Sequence, residues 1–275
     1  MINQLASQYV ANALKSFAVF GFDVKITPQG RVQVIEINGI QAGMQGFALT
    51  GNELSQARFN RKLRAAFTDM DEETRETHRG IERILGDKLH VDRLFEDCRD
   101  MKPQSYEYTN EGLELLLKGS LGPNIIKPRH GIQGNGVDIL DLSNRPEYSS
   151  NNIIESFAPS KPIRSSKTGK NHDGCMRYMV LVEEREGLIE VHHFGGYWRL
   201  CPKPISDKID IDAMRANLSL GAIPEAASDE DLRAVKMAVD QIVPIIYQKM
   251  LQRANPTKRK AWLRSLYKTL DPDSS

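Results

Sequence analysis

Cysteine is scarce: three residues in 275, Cys98, Cys175 and Cys201. An odd trio makes no disulfide scaffold and points to a reducing compartment, so a cytoplasmic chain is expected. No apolar run approaches the roughly 20 residues needed to span a bilayer. Neither sign of charge dominates, with 37 Lys plus Arg against 36 Asp plus Glu. That balance argues against a general attraction to nucleic acid or membrane. The opening residues, MINQLASQYV, are polar and amphipathic, unlike a secretory leader. There is no internal repeat and no long low-complexity segment. The length allows one large domain or two small ones with a real core.

The most informative stretch is FGFDVKITPQGRVQVIEINGIQAG, residues 20–43. Phe22, Val24 and Ile26 alternate with Asp23 and Lys25, the period of a half-buried strand. Thr27-Pro28-Gln29-Gly30 is turn chemistry. Residues 31–38 return rich in Val and Ile. Pairing Thr27 with Val32 sets Lys25 opposite Val34 and Asp23 opposite Glu36, with Asn38 on the same face. Like charges directly opposed across a hairpin are destabilising. Two carboxylates and an amide on one face therefore want a cation. Their hard oxygens suit Mg²⁺ or Mn²⁺ better than Zn²⁺.

The rest reads as helices and strands in turn. Residues 3–18 have apolar residues at helical spacing and predict a helix. Two polar helices are expected over 53–67 and 69–85, and another after Asp87-Lys88. Pro103 ends that one and opens an extended segment. A strand over 124–127 leads into RHGIQGNG and a second strand over 137–142. Gly131, Gly134 and Gly136 let backbone N–H groups approach phosphates, and Lys127 adds a point charge. No Gly-Lys-Ser/Thr opens a helix here, so this is not a P-loop. A strand over 152–159 and a polar loop over 161–174, read as mobile, come next. Core strands are expected over 175–182 and 189–200. His192 and His193 are adjacent in a strand and point to opposite faces, so structural roles suit them better than one shared metal. Ser228 is a helix cap with Asp231 three residues on. Leu232, Val235, Val239, Ile242 and Ile246 form that helix's apolar face, with Pro244 a kink. A basic amphipathic helix is expected over 258–270.

Asp23 followed by Glu36-Ile37-Asn38-Gly39 resembles the metal-binding hairpin of the ATP-grasp superfamily. There an Asp, a Glu and an Asn hold Mg²⁺ against the ATP phosphates. Other stretches are similar to further parts of that family. Asp87-Lys88 resembles the start of its lid, where the lysine contacts phosphates. Ile125-Ile126-Lys127-Pro128 with Gly131, Gly134 and Gly136 resembles its phosphate loop and preceding lysine. Glu155-Ser156-Phe157 resembles the hinge that reads adenine, although Ser160, Lys161 and Pro162 follow where an acid for the ribose is often found. Arg177 and Arg199 sit where the family often places bases. Arg215-Ala216-Asn217 with Gly221 resembles the Arg-x-Asn signature of the ligase branch.

The resemblance implies an α+β (α/β) ATP-grasp fold, two subdomains gripping ATP. The order is rotated, because the metal hairpin comes first instead of last, as in a circular permutation. The implied divisions are 1–45 as the hairpin, 46–85 as a helical insert and 86–158 as the lid. Residues 159–250 would be the rest of the core and 251–275 a basic tail. The implied activity is an ATP- and Mg²⁺-dependent carboxylate–amine (or thiol) ligase acting through an acylphosphate. Lys88, Lys127 and the glycine loop would hold ATP, Glu155 and Phe157 would frame adenine, and Arg177 would assist in nucleotide binding. Arg199, Arg215 and Asn217 would serve phosphoryl transfer. A kinase on the same fold and a nucleotide-binding subunit without turnover are the alternatives. The usual substrate domain has no counterpart. The acceptor site would come from the insert, a second subunit or a partner protein.

Overall fold

Residues Leu14–Ile26 form one strand of 13 residues, β1, second from one edge of the larger of two main sheets. The structure is a computed structural model that describes residues 14–40, 45–120, 122–130, 136–185, 188–206 and 210–254. The expected helix over 3–18 is corrected for residues 14–18, which are strand. Residues 3–13 and the expected basic helix over 258–270 lie outside the described residues. The error has a physical cause. Phe17, Ala18, Val19 and Phe20 are all fully buried, so both faces of β1 are covered. A strand buried on both sides loses its polar alternation, and periodicity no longer separates it from a helix.

After a turn closed by Gly30 at φ +78, the chain returns as β2 (Val32–Asn38). Three helices follow: α1 (Gln45–Leu49), α2 (Glu53–Thr68) and α3 (Glu72–Leu85). Asp71 caps α3 by accepting from the Thr74 N–H. Asp87 caps α4 (Lys88–Leu94) by accepting from the Leu89 and His90 N–H groups.

The next elements are β3 (Ser105–Tyr108), α5 (Asn110–Gly119), β4 (Asn124–Pro128), β5 (Asp138–Ile139) and β6 (Ser149–Ser156). They build a small antiparallel sheet in the order β3-β6-β4-β5. Its own apolar cluster joins Tyr108, Leu113, Leu116, Ile126, Leu140 and Ile154. The strand expected over 137–142 is only two residues long. Asp141 accepts from the Ser143 N–H and hydroxyl, which turns the chain away.

The polar stretch over 161–174 is not the expected open loop. It folds into a hairpin of β7 (Ile163–Arg164) and β8 (Asn171–His172). The remaining elements are β9 (Gly174–Arg185), β10 (Leu188–Leu200), β11 (Ile223–Ala226) and α6 (Asp229–Ala254). Ser228 caps α6 through the Asp231 N–H, and the helix runs on through Pro244.

The larger sheet is antiparallel, in the order β11-β10-β9-β1-β2. Phe20, Phe22 and Val24 of β1, Tyr178 of β9 and Trp198 of β10 point to one face. There they meet Val235, Val239, Ile242 and Ile246 of α6, joined by Ile81 of α3 and Leu94 of α4. The opposite face is divided. At one end Phe17, Val19, Leu181 and Phe194 pack under Phe47 of α1 and Phe59 of α2. The other end carries charged side chains and faces the small sheet. The result is a mixed α+β chain built on antiparallel sheets. No helix among the described residues is long and apolar enough to cross a membrane.

Candidate functional site

The charged end of the sheet follows from the period of two. Asp23 pairs with Glu36 on one side and with Arg177 on the other, and Arg177 pairs in turn with Tyr197. Four neighbouring strands thus set Glu36, Asp23, Arg177 and Tyr197 in one row on one face. The expected hairpin register is right at Asp23–Glu36 and wrong nearer the turn. Ile26 rather than Thr27 pairs with Val32, and Lys25 faces Gln33. A bulge absorbs the difference, leaving Ile35 as the extra residue opposite the Asp23–Val24 step.

The opposed acids are answered by cations of the protein itself. Asp23 accepts from Nε and Nη2 of Arg177, the latter at 3.0 Å, and Arg199 Nη2 lies 2.7 Å away. Burial pushes the Asp23 carboxyl up, but the two guanidiniums outweigh it and hold the pKa below its ordinary value. Asn38 Nδ2 donates to Asp23 at 3.2 Å and to the Gly21 carbonyl at 3.3 Å. Lys88 Nζ reaches Glu36 at 3.6 Å, and burial lowers its pKa. Asp23, Glu36 and Asn38 are hard ligands in type, but as they stand both Asp23 oxygens are held by guanidiniums and Asn38 turns its Nδ2 to Asp23, so a divalent cation would have to displace the arginines and turn the amide.

A second cluster sits on the small sheet. Both Glu155 oxygens are engaged, one by Lys127 at 2.8 Å and the other by Lys102 at 3.0 Å and Ser105 Oγ. Burial works upward on Glu155, and the two lysines outweigh it and hold the pKa at about 2. Lys127 is itself pushed down by burial and raised further by Glu155, ending above its ordinary value. Lys88, Lys102, Lys127, Arg177 and Arg199 together outnumber Asp23, Glu36 and Glu155. A region with that excess of positive charge suits a polyanion.

Between the sheets lies a cleft with about 380 Å³ of empty space, open to solvent. Ile35 of the bulge, Lys25 and Met214 line one side, and Ile125, Val137 and Phe157 line the other. Glu155, Ser156, Ala158 and Arg215 also line it. Lys25 Nζ stands 4.1 Å from the Phe157 ring centroid and pairs with Asp173 at 2.6 Å. Of the glycines singled out, Gly131 and Gly134 lie outside the described residues. Gly136 has φ +70, and a Cβ there would press on Pro128 at 2.8 Å. Just before this loop, Arg129 grips Asp87 with Nε at 2.8 Å and Nη2 at 2.7 Å. That fork ties the small sheet to the start of α4, where Lys88 sits.

Arg215 borders the cleft and pairs with Asp212 at 3.0 Å, with its Nε buried and unbonded. Asn217 is not among the cleft-lining residues. Its side-chain oxygen accepts from the Ser219 N–H and hydroxyl, capping a short 3-10 turn that Gly221 ends at φ +90. His192 and His193 do diverge. One meets Glu183 at 3.1 Å, the other Asp240 at 2.8 Å. Glu183, Glu190 and His192 come close enough together to hold a metal, but Lys62 Nζ is already 2.8 Å from Glu183.

Sequence reasoning missed Lys102, Lys25 and Tyr197. Lys25 and Tyr197 lie two residues from Asp23 and Arg199, so strand alternation could have found them. Lys102 has no local signal. Tyr197 also explains a glycine in α1, because a Cβ on Gly46 would lie 1.9 Å from its ring. Gly46→Ala is expected to cost about 1–3 kcal/mol by overpacking. A urea midpoint equal to wild type would show that α1 does not press on Tyr197.

Comparison of the chain with protein families, with curated proteins and with solved structures gives no match.

Proposed function

We propose that this chain is an ATP- and Mg²⁺-dependent ligase that joins a carboxylate to an amine (or thiol) through an acylphosphate. We further propose that its fold is of the ATP-grasp kind, with the motifs in circularly permuted order. The observation that carries the reading is that two charged clusters lie within electrostatic reach of one another: Lys88 pairs with Glu36 of the larger sheet, and Lys127 of the smaller sheet is influenced by both Glu155 and Glu36. Asp23, Glu36 and Asn38 stand on the larger sheet beside Arg177 and Arg199. Lys127 and Glu155 stand on the smaller sheet, where the strand from Lys127 enters the glycine loop.

Each group has a role in this reading. Ile35, Ile125, Val137, Met214 and Phe157 give adenine apolar walls. Lys88, Lys127 and the loop N–H groups hold the phosphates. Asp23, Glu36 and Asn38, once freed from their present partners, would hold Mg²⁺ (or Mn²⁺), which would supply charge neutralisation and Lewis-acid polarisation at the phosphates. Arg177, Arg199 and Arg215 offer guanidinium donors to the transferring group. A substrate carboxylate oxygen attacks the γ-phosphorus, the bond to the β-phosphate oxygen breaks, and ADP leaves. An amine nitrogen then attacks the acyl carbon, loses a proton and expels phosphate. The protein positions and balances charge, and no side chain acts as nucleophile. Asn217 enters only if its bond to Ser219 opens.

One observation favours a second reading, a nucleotide-binding subunit without turnover. Both Asp23 oxygens already have guanidinium partners. The separating experiment is ATP turnover with Mg²⁺ against pools of carboxylates, with hydroxylamine as trap. The ligase reading expects ADP and a hydroxamate that both depend on one carboxylate. ADP without hydroxamate points to a kinase. Tight ATP binding with no ADP from any pool would overturn the ligase reading in favour of the binding subunit.

A further inference from the structure

Asp23, Glu36, Glu155, Asp87 and Asp173 each have a Lys or Arg partner. Glu82 does not, among the described residues. It lies in the last turn of α3, half-buried, beside the chain as it leaves β2. One carboxylate oxygen accepts from the Ile40 N–H at 3.2 Å. The carboxylate lies so close to Gly39 that a Cβ there would fall 2.1 and 2.5 Å from its two oxygens. Gly39 is not among the glycines with positive φ. A side chain at this position would push the Glu82 carboxylate aside, so Gly39 leaves the carboxylate its place against the chain after Asn38. Arg83, the nearest base in sequence, turns its Nε to the Arg79 carbonyl on the exposed side. Burial and the Ile40 bond are the influences on this carboxyl, with no neighbouring charge among them.

An acid in that position lacks only a cation. The C-terminal end of α3 adds partial negative charge there. A divalent metal needs several hard ligands, and Glu82 offers one open oxygen. A hydrogen-bonding monovalent cation fits better. We propose that Glu82 receives the ammonium group of the amine substrate and places it next to Asn38, at the end of β2 that carries Glu36. This inference rests on the ligase reading and deepens it: the second substrate is an amine that arrives as a cation, gives up one proton to solvent once bound and attacks the acyl carbon through the freed nitrogen lone pair, and the helical insert supplies its site. Glu82 would then be a binding residue on a rigid helix, with the Ile40 bond fixing its orientation.

Competition between two nucleophile probes tests this. Hydroxylamine is uncharged at mildly alkaline pH, whereas methylamine is largely methylammonium. Wild type and Glu82→Gln are run with ATP, Mg²⁺, a mixture of common amino acids as carboxylates and both probes, and the products are read by mass spectrometry. Gln keeps an oxygen for the Ile40 N–H, so the local bond survives. The expected result is a methylamide-to-hydroxamate ratio at least about 10-fold lower in Glu82→Gln, the loss of one charge-assisted contact. Partial recovery is expected in Glu82→Asp. An unchanged ratio in a variant that still makes hydroxamate overturns the assignment of Glu82 and leaves the ligase reading standing. Equal loss of both products in a folded variant also overturns it, since Glu82 then serves an earlier step. Absence of both products from wild type overturns the ligase reading itself, and this inference with it.

Discussion

Asp23→Ala should lower stability by roughly 3–5 kcal/mol, the cost of stranding buried partners of an ion pair. Asp23 is 4 % exposed, and Arg177 and Arg199 are each 8 % exposed. Both guanidiniums bond the same carboxylate, so removing it leaves two like charges facing each other across neighbouring strands. Arginine cannot escape by shedding its proton. The destabilisation should therefore persist at every pH from neutral to alkaline. Added sulfate should partly restore the urea midpoint by supplying the missing anion. In the ligase reading, ATP turnover disappears as well. The pH dependence of wild type has a definite sign. The Asp23 pKa is lowered on folding, so its contribution is complete above the ordinary carboxylate value and is lost as pH falls below it. A variant with a near wild-type midpoint and no response to sulfate would show that this carboxylate does not hold the two arginines.

Glu155→Ala should be comparably damaging, again roughly 3–5 kcal/mol, with a different pH signature. The side chains of Lys102 and Lys127 are only 3 % and 8 % exposed. Lys102 keeps a longer contact with Asp92 at 3.8 Å, whereas Lys127 loses its bonded carboxylate. A buried lysine without a partner lowers its pKa and becomes neutral. The variant should thus regain stability relative to wild type as pH rises, which the arginine pair cannot do. In wild type the Glu155 pKa falls from 4.5 to about 2 on folding. Its contribution is fully present above about 4.5 and is lost as pH drops from there through about 2. Urea midpoints across pH for both proteins measure this. Parallel curves would show that Glu155 does not carry the lysines.

Much of the hairpin could be read from sequence because a turn and a period of two are local signals. Thr27 to Gly30 announced the reversal, and Asp23 met Glu36 as expected. The bulge at Ile35 could not be read, since one extra residue leaves composition and turn chemistry unchanged. It matters all the same: Ile35 reaches the cleft wall while Glu36 stays opposite Asp23. β1 was half lost to a helix because burial on both faces erases alternation. The guanidinium partners of Asp23 were named individually as bases, but not as its partners. They come from strands 154 residues or more away, and only the pairing of β1 with β9 and of β9 with β10 brings them together. Lys102 went unseen for the same reason. Its partner Glu155 lies 53 residues on, across a different sheet.

The position of β1 between β2 and β9 also sets a timetable for synthesis. The hairpin bearing Asp23, Glu36 and Asn38 leaves the ribosome well before its second neighbour, which arrives only with Gly174–Arg185. Until then one long, apolar strand edge has no mate, and the chain must hold it without sticking to itself or to others. The small sheet has no such wait, because all its pairings fall within residues 105–156. Ring closure across so many residues costs little extra free energy but delays the encounter, since long-range pairing is slow. Asp23 and Glu36 are thus made well before the strand that locks them in place.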